Sequence, residues 1–194
     1  MRGVPRPERT VGRVRTLAFG VAIFAVAACG TPLPLIDQVV TAPNDWQTVA
    51  VLDANKAVTA SVAFPPSFHP NDNPPAGLDN RADAITQEGL TVQFEGPRNP
   101  DSQLLPGEDL RAILQRRLEL GGEGVATYAD VVLGAGPAVR MDRVDQRGVF
   151  TYRVVCYAIQ MRDGTAFLMF DGAPDTYAGH ELEISQIAAF VASS

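Results

Sequence analysis

The sequence contains few of the residues on which common catalytic and metal-binding motifs depend. Among its 194 residues are one lysine, two histidines and two cysteines, which are Lys56, His69, His180, Cys29 and Cys156. The glycine-rich segments 121–124 and 134–136 lack the lysine of a phosphate-binding loop, so we expect a helix stop and a tight turn there. The histidines match no zinc-site spacing, and no Gly-x-Ser-x-Gly nucleophile motif is present. The sequence therefore offers no motif for a nucleotide-binding protein, a zinc enzyme or a serine hydrolase.

The chain also lacks an apolar run long enough to cross a bilayer. Residues 17–28 are only 12 in number, whereas a membrane-spanning helix needs about 20. Five arginines and one glutamate precede this run, and it ends in Val26-Ala27-Ala28 before Cys29. A basic segment, a short apolar segment and small residues at a cleavage point are typical of an export signal. The cysteine that follows makes the site resemble a bacterial lipobox, in which the thiol is acylated; the alternative is an ordinary secretory signal with a chance cysteine.

The lipobox resemblance predicts where the protein resides. Residues 1–28 would be a lipoprotein signal peptide, Cys29 the lipid attachment site, and residues 29–45 a tether. The predicted localisation is the extracytoplasmic face of the cell membrane, because two acyl chains give stable anchoring. Removing five arginines and one glutamate leaves 11 basic and 21 acidic residues, a net charge near −10. Such a charge repels nucleic acid and anionic headgroups, so we expect no nucleic-acid partner and a membrane contact made by the lipid.

Cys156 is the one cysteine left once Cys29 is acylated, so an internal disulfide is excluded. It lies among β-branched and aromatic residues in the segment 149–159. Free cysteine in such surroundings behaves as a small buried hydrophobe. A nucleophilic cysteine would need a base and an exposed, electropositive setting, which the sequence does not indicate.

The remaining residues, 46–194, predict one α+β domain in which helices pack on an antiparallel β-sheet. Helix periodicity begins near Leu110, with Glu108 and Asp109 expected in the first turn, and returns in a closing helix. Turns are predicted at 53–56 and at 162–164, the second from an Asp-Gly pair. The predicted strands are 48–52, 58–64, 90–95, 130–133, 138–145, 149–161 and 165–170, and the apolar face of the closing helix is Leu182, Ile184, Ile187, Ala188, Phe190 and Val191.

Several of these segments together resemble a known family. The run 134–140, the strand pair around 162–164, the run 166–170 and the terminal helix are similar to the PsbP-like α/β/α sandwich, and most of all to LpqN-type lipoproteins of actinobacteria. The resemblance implies an accessory or binding role. It supplies no shared catalytic residues, so we expect no enzyme activity, no cofactor and no metal.

Two loops are the predicted contact surfaces, because function concentrates on loops held by a rigid scaffold. They are Pro65–Asn80, in which Phe68 would be an exposed aromatic, and Gly96–Gly107. We interpret Trp46, Phe64 and Phe94 as core residues rather than as a pocket. The acids Asp171, Asp175, Glu181 and Glu183 are interpreted as a solvated face near a helix N-terminus rather than as an acid–base pair or a calcium site.

Three hypotheses on function follow from the sequence. The first is a membrane-anchored, non-enzymatic accessory protein of the cell envelope that binds a protein partner or an envelope ligand. The alternative is a carrier of a small apolar or lipid-like ligand in a sheet–helix cleft, which needs a cavity on the order of several hundred Å³ lined by Phe, Leu and Val. An envelope hydrolase is the weakest, because the sequence pairs no nucleophile with a base.

Overall fold

A computed structural model describes residues 41–70, 80–97, 104, 107–118 and 124–193. Within these ranges the chain forms two antiparallel sheets and three short helices. The α+β class is therefore confirmed, although the strands divide between two sheets where the sequence predicts one.

The smaller sheet has three strands in the order β1-β2-β10. They are β1 (Gln47–Leu52), β2 (Val58–Phe64) and β10 (Ala192–Ser193). Asp53 forms the predicted turn between β1 and β2, because its carboxylate accepts the N–H groups of Asn55 (2.8 Å) and Ala57 (3.0 Å). Lys56 takes a φ of 65° in that turn.

The larger sheet has seven strands in the order β3-β4-β5-β9-β8-β7-β6, and every neighbouring pair is antiparallel. Its two longest strands, of 12 residues each, form a hairpin whose turn contains Gly148, which has a φ of 67°. The strands are β3 (His69–Pro70), β4 (Arg81–Ile85), β5 (Thr91–Glu95), β6 (Ala126–Leu133), β7 (Gly136–Arg147), β8 (Phe150–Met161) and β9 (Gly164–Gly172).

The two faces of the larger sheet carry separate cores, because side chains alternate along a strand. One face packs against the smaller sheet and the helices α2 (Pro174–Gly179) and α3 (Glu181–Ala189). The opposite face packs against α1 (Leu110–Leu118) through Ile113 and Leu114. The helix α1 begins at Leu110, so Glu108 and Asp109 precede its first turn instead of lying in it as predicted; Asp109 accepts the N–H of Ala112 at 2.8 Å. No helix in the described ranges is both long and apolar enough to span a membrane.

Some predicted elements differ from the structure. The prediction missed β4, because the segment Arg81–Ile85 is short, has two charged residues and contains only one large apolar side chain. The predicted closing helix is α3, the short helix α2 before it was not predicted, and Leu182 is 72% exposed instead of part of the apolar face. The buried positions of α3 are Ile184, Ile187 and Ala188, whose helical spacing leaves Leu182 on the opposite side. Val191 is also buried, but it lies beyond the end of α3 at Ala189.

Candidate binding surfaces

The two histidines lie apart. His69 is exposed in the edge strand β3, whereas His180 lies between α2 and α3. The His180 ring nitrogens contact two carboxylates, with Nδ1 2.5 Å from Glu183 Oε2 and Nε2 3.4 Å from Glu88 Oε2. Ser67 donates to the other oxygen of Glu183 at 2.7 Å. The contacts of His180 and Glu183 thus link three segments of the fold. No group of three or more side chains that could bind a metal ion occurs in the described ranges.

The acidic residues near the chain end do not form one surface. Asp171 lies in β9 and is 2.8 Å from Arg147, while Glu183 is held by His180. Asp175 and Glu181 are exposed. The prediction of a solvated face thus applies to two of the four acids, and the other two contact Arg147 and His180.

The prediction that Phe68 is an exposed contact residue is wrong. Phe68 is 2% exposed, because its N–H donates to the carbonyl of Pro65 (2.9 Å) and turns the chain back into the core. Its ring meets His180 edge-on with the ring centroids 5.7 Å apart. Phe64 and Phe94 are core residues as predicted, and Trp46 is half-buried with its ring edge-on to Phe190 at 5.2 Å.

Cys156 is buried, as predicted. Its side chain lies in β8 on the face that packs against α1. Burial raises the pKa of its thiol to about 12, with a smaller opposing effect from the charge of Arg117. The thiol is therefore neutral at physiological pH and does not fit the role of a nucleophile.

A network of charged and aromatic side chains joins α2 to the larger sheet. Asp142 of β7 accepts two hydrogen bonds from Arg153 of β8, at 2.7 and 3.0 Å, and one from Arg140 at 2.7 Å. The guanidinium of Arg153 lies over the Tyr177 ring, 4.1 Å from its centroid. Burial raises the pKa of Tyr177, although Arg140 and Arg153 oppose that shift. The sequence analysis did not predict this network. The feature that could have indicated it is a pair of opposite charges, Arg140 and Asp142, two residues apart on one face of a strand.

Two concave surfaces lie on the sheet face that carries α1. An open groove of about 440 Å³ lies at the β3–β4–β5 edge, and its lining includes His69, Ile85 and the ion pair Arg81–Asp83. A smaller cleft of about 200 Å³ lies beside α1. We refer to it as the α1 cleft, and it is lined by Gln93, Glu95, Arg117, Cys156, Phe167 and Met169.

The strands β7 and β8 extend beyond their neighbours. Pairing with β6 ends at Arg143 and pairing with β9 ends at Arg153, so no third described strand pairs with the segment 144–152, which we call the ribbon. At its tip Val149 is 90% exposed and Phe150 is 63% exposed.

Polar contacts hold the ribbon in place. Arg147 is 2.8 Å from Asp171 of β9 and lies over the ring of Tyr152, 4.8 Å from its centroid. Gln146 donates to Thr151 across the two strands at 2.8 Å. The ribbon therefore presents two apolar side chains on an ordered support.

The remaining predicted sites lie outside the described residues. These are the lipid attachment site Cys29, most of the tether 29–45, the helix stop at Gly121–Gly122, and the greater parts of the loops Pro65–Asn80 and Gly96–Gly107.

The arrangement of layers and strands is that of the PsbP-like fold. The solution structure of cyanobacterial PsbP (CyanoP) from Synechocystis is similar to this chain with a TM-score of 0.52 and 10% identity, over 87% of this chain and 99% of that one. This likeness supports the fold that the sequence resemblance implies.

Two further solved structures are similar at lower scores. LpqN, involved in cell envelope biogenesis of Mycobacterium tuberculosis, matches with a TM-score of 0.44 and 11% identity, over 77% of this chain and 91% of that one. The Ran-binding protein Mog1p from Saccharomyces cerevisiae matches with a TM-score of 0.49 and 9% identity, over 76% and 96%. No protein-family model and no curated protein matches the sequence.

Proposed function

We propose that the protein is a lipid-anchored, non-enzymatic accessory protein of the bacterial cell envelope, and that it contacts a protein partner through the ribbon. The observation that carries this proposal is the apolar tip, Val149 and Phe150, held away from both cores. Exposed aromatic side chains on a rigid support are frequent anchors of protein interfaces. The PsbP-like fold is compatible with this role but does not establish it.

The direction of the strands separates the ribbon from the point where the chain enters the domain. The chain enters the domain at Trp46, which packs on Phe190 at the C-terminal end of α3. Gly134, in the turn before β7, lies against the carbonyl of Ala189 at the same end. The strand β7 runs from that turn for 12 residues, or about 40 Å, to the ribbon. The chain therefore enters the described part of the domain at the end remote from the ribbon.

The anchoring part of the proposal is tested by Cys29→Ala in cells that express the protein. We expect the parent chain to sediment with membranes and to resist a high-salt wash, because two acyl chains hold it. The Cys29→Ala chain should appear in the soluble fraction. If it remains in washed membranes, the anchor is not at Cys29.

The partner surface is tested by placing a photo-crosslinking residue at Val149 in intact cells. The matched control is the same residue at Val132, which is 65% exposed on the edge strand β6. We expect a discrete higher-mass adduct from position 149 that is absent from position 132 and is lost when Phe150→Asp is added. An adduct of equal yield from both positions, or none from position 149, would contradict the proposal.

A carrier of a lipid-like ligand is less well supported. The α1 cleft has the expected place between sheet and helix, but about 200 Å³ is below the usual size of ligand pockets. Its lining includes the ion pair Glu95–Arg117 rather than only apolar side chains. The larger groove at the β3–β4–β5 edge is open and includes charged residues in its lining.

A further inference from the structure

The methionines of the described domain differ in their access to solvent. Met141 and Met161 are 0% and 4% exposed, whereas Met169 is half-buried and belongs to the lining of the α1 cleft. The cleft has a volume of about 200 Å³. A water molecule occupies ~30 Å³, so a molecule as small as hydrogen peroxide fits beside the Met169 side chain. Among these three thioethers, that of Met169 is therefore the one open to a dissolved oxidant.

The thiol nearest to Met169 is protected where the thioether is not. Cys156 lies directly opposite Met169 in the ladder between β8 and β9 and lines the same cleft. Cysteine is oxidised through its thiolate, so its susceptibility follows ionisation and exposure. Burial raises the pKa of Cys156 to about 12, and the residue is 2% exposed. A thioether has no proton to lose, so Met169 reacts without ionisation and we expect it to be oxidised before Cys156.

Met169 lies at the margin of the core that joins α1 to the larger sheet. It packs against the buried cluster that contains Ile113 and Leu114 of α1 and Phe167 of its own strand. Oxidation to the sulfoxide makes this apolar side chain polar, and the new oxygen must reach water or a hydrogen-bond donor. The side chain would then leave the cluster, and the packing of α1 on the sheet would weaken. Cys156 belongs to the same cluster, on the sheet face that α1 covers.

We propose that Met169 is a modification site at which hydrogen peroxide oxidises the thioether to a sulfoxide, and that this oxidation loosens α1 and makes Cys156 reactive. A sulfur lone pair attacks one oxygen of the peroxide, so that an S–O bond forms as the O–O bond breaks. The proton on the transferred oxygen passes to the departing hydroxide, which leaves as water. Sulfur loses two electrons and the peroxide oxygens gain them. This modification does not depend on the contact proposed for the ribbon.

The first experiment treats the full-length chain, carrying Cys29→Ser to prevent acylation, with a small molar excess of hydrogen peroxide. Peptide mass spectrometry measures the fraction of each methionine that has gained one oxygen atom. We expect Met169 to be oxidised at least about tenfold faster than Met141 and Met161, because susceptibility follows exposure. In urea the three rates should become equal, since the thioethers of an unfolded chain have similar access to the oxidant.

The second experiment measures the consequence for Cys156. Once the peroxide has been removed, a thiol-specific reagent should label Cys156 about tenfold faster than in the untreated chain, because local opening of α1 exposes the thiol. Methionine sulfoxide reductases should restore slow labelling, since they reverse this oxidation.

The matched control is Met169→Leu, which keeps an apolar side chain of similar size and has no sulfur to oxidise. Its Cys156 should react slowly both before and after peroxide. Met161→Leu removes a buried thioether instead, and its Cys156 should respond to peroxide as in the parent chain.

The assignment is overturned if Met169 is oxidised no faster than Met161, or if Cys156 is oxidised before Met169. Equal labelling of Cys156 before and after oxidation of the parent chain would show that α1 stays in place, which contradicts the proposed loosening. If Met169→Leu does not fold, the comparison of native and urea-treated parent chain and the reductase treatment decide, because neither needs a variant at Met169.

Discussion

At the scale of single residues, the buried charges of β7 show how this chain retains polar groups in its core. Arg143 and Asp145 project from the same face of the strand, 7% and 0% exposed, with Nη2 2.8 Å from Oδ2. Removing one partner of such a pair commonly costs 3–5 kcal/mol, because the other charge remains buried. The pair lies where the ribbon begins. It holds that segment in place mainly because separating the two charges would leave one of them buried and unpaired, and less because of their mutual attraction.

The thiol of Cys156 should be unreactive in the folded protein. Burial raises its pKa to about 12, so the reactive thiolate is scarce, and the side chain is 2% exposed. In a Cys29→Ser chain, where Cys156 is the one remaining thiol, we expect a thiol-specific disulfide reagent to react slowly at pH 8. The reaction should accelerate on adding urea through the unfolding transition. A rapid, stoichiometric reaction without denaturant would mean that the thiol is accessible and ionised.

At the scale of elements, two glycines with a positive φ, Gly136 and Gly148, should differ in their tolerance of substitution. Gly136 begins β7 with a φ of 143°, and an added Cβ would lie 2.5 Å from the carbonyl oxygen of Gln160. Gly148 has a φ of 67° and open space around that position.

We therefore expect Gly136→Ala to destabilise the fold by about 3 kcal/mol and Gly148→Ala by about 1 kcal/mol. The measurement is the midpoint of urea unfolding, with the slope checked for constancy. Shifts of equal size would show that the contact with Gln160 relaxes without cost and that only the backbone angle matters.

The elements that the sequence predicted well are those with strong local signals. The hairpin of β8 and β9 follows from alternation and an Asp-Gly turn, and Gly164 there has a φ of 139°. The prediction does not include β4, because this segment becomes a strand by pairing with β5 and its own residues give only a weak strand signal. Leu182 is exposed, contrary to the prediction, because the helical phase that places Ile184 and Ile187 inside turns Leu182 towards solvent.

The candidate surfaces were less predictable, since they depend on contacts between distant segments. Buried Phe68 illustrates this, because proline-rich surroundings indicate a loop but not which side chain the loop folds inwards. The α1 cleft combines Glu95 of β5 with Arg117 of α1, which no spacing in the sequence connects. The ribbon follows from the unequal lengths of neighbouring strands, and those lengths become apparent only once the order of strands is known.

At the scale of the whole molecule, the layers are held together by apolar packing and by the network around Asp142. This carboxylate joins β7 to β8 through Arg153, and Arg153 in turn stacks on Tyr177 of α2. The network thus connects the β7–β8 hairpin of the larger sheet to a helix in the adjacent layer. Its strength should depend on pH, because only the ionised carboxylate accepts all three hydrogen bonds.

Desolvation raises the pKa of Asp142, but the hydrogen bonds and charges of Arg153 and Arg140 outweigh it, so the pKa lies below its usual value. A depressed pKa in the folded state means that the unfolded chain binds more protons, so the stabilisation is fully present above the unfolded value of about 3.9. It is lost as the pH falls through the lower folded pKa.

We therefore expect Asp142→Asn to lower the free energy of unfolding by about 2 kcal/mol at pH 7 and by progressively less below pH ~4. The free energy of unfolding of the parent and variant chains is measured by urea unfolding at a series of pH values. The control is Asp130→Asn, an exposed position on the edge strand β6, which should change stability little at neutral pH. If Asp142→Asn lowers the free energy of unfolding by the same amount at every pH from 7 to 3, the destabilisation comes from altered packing. The network would then hold the layers together by the fit of its side chains rather than by charge.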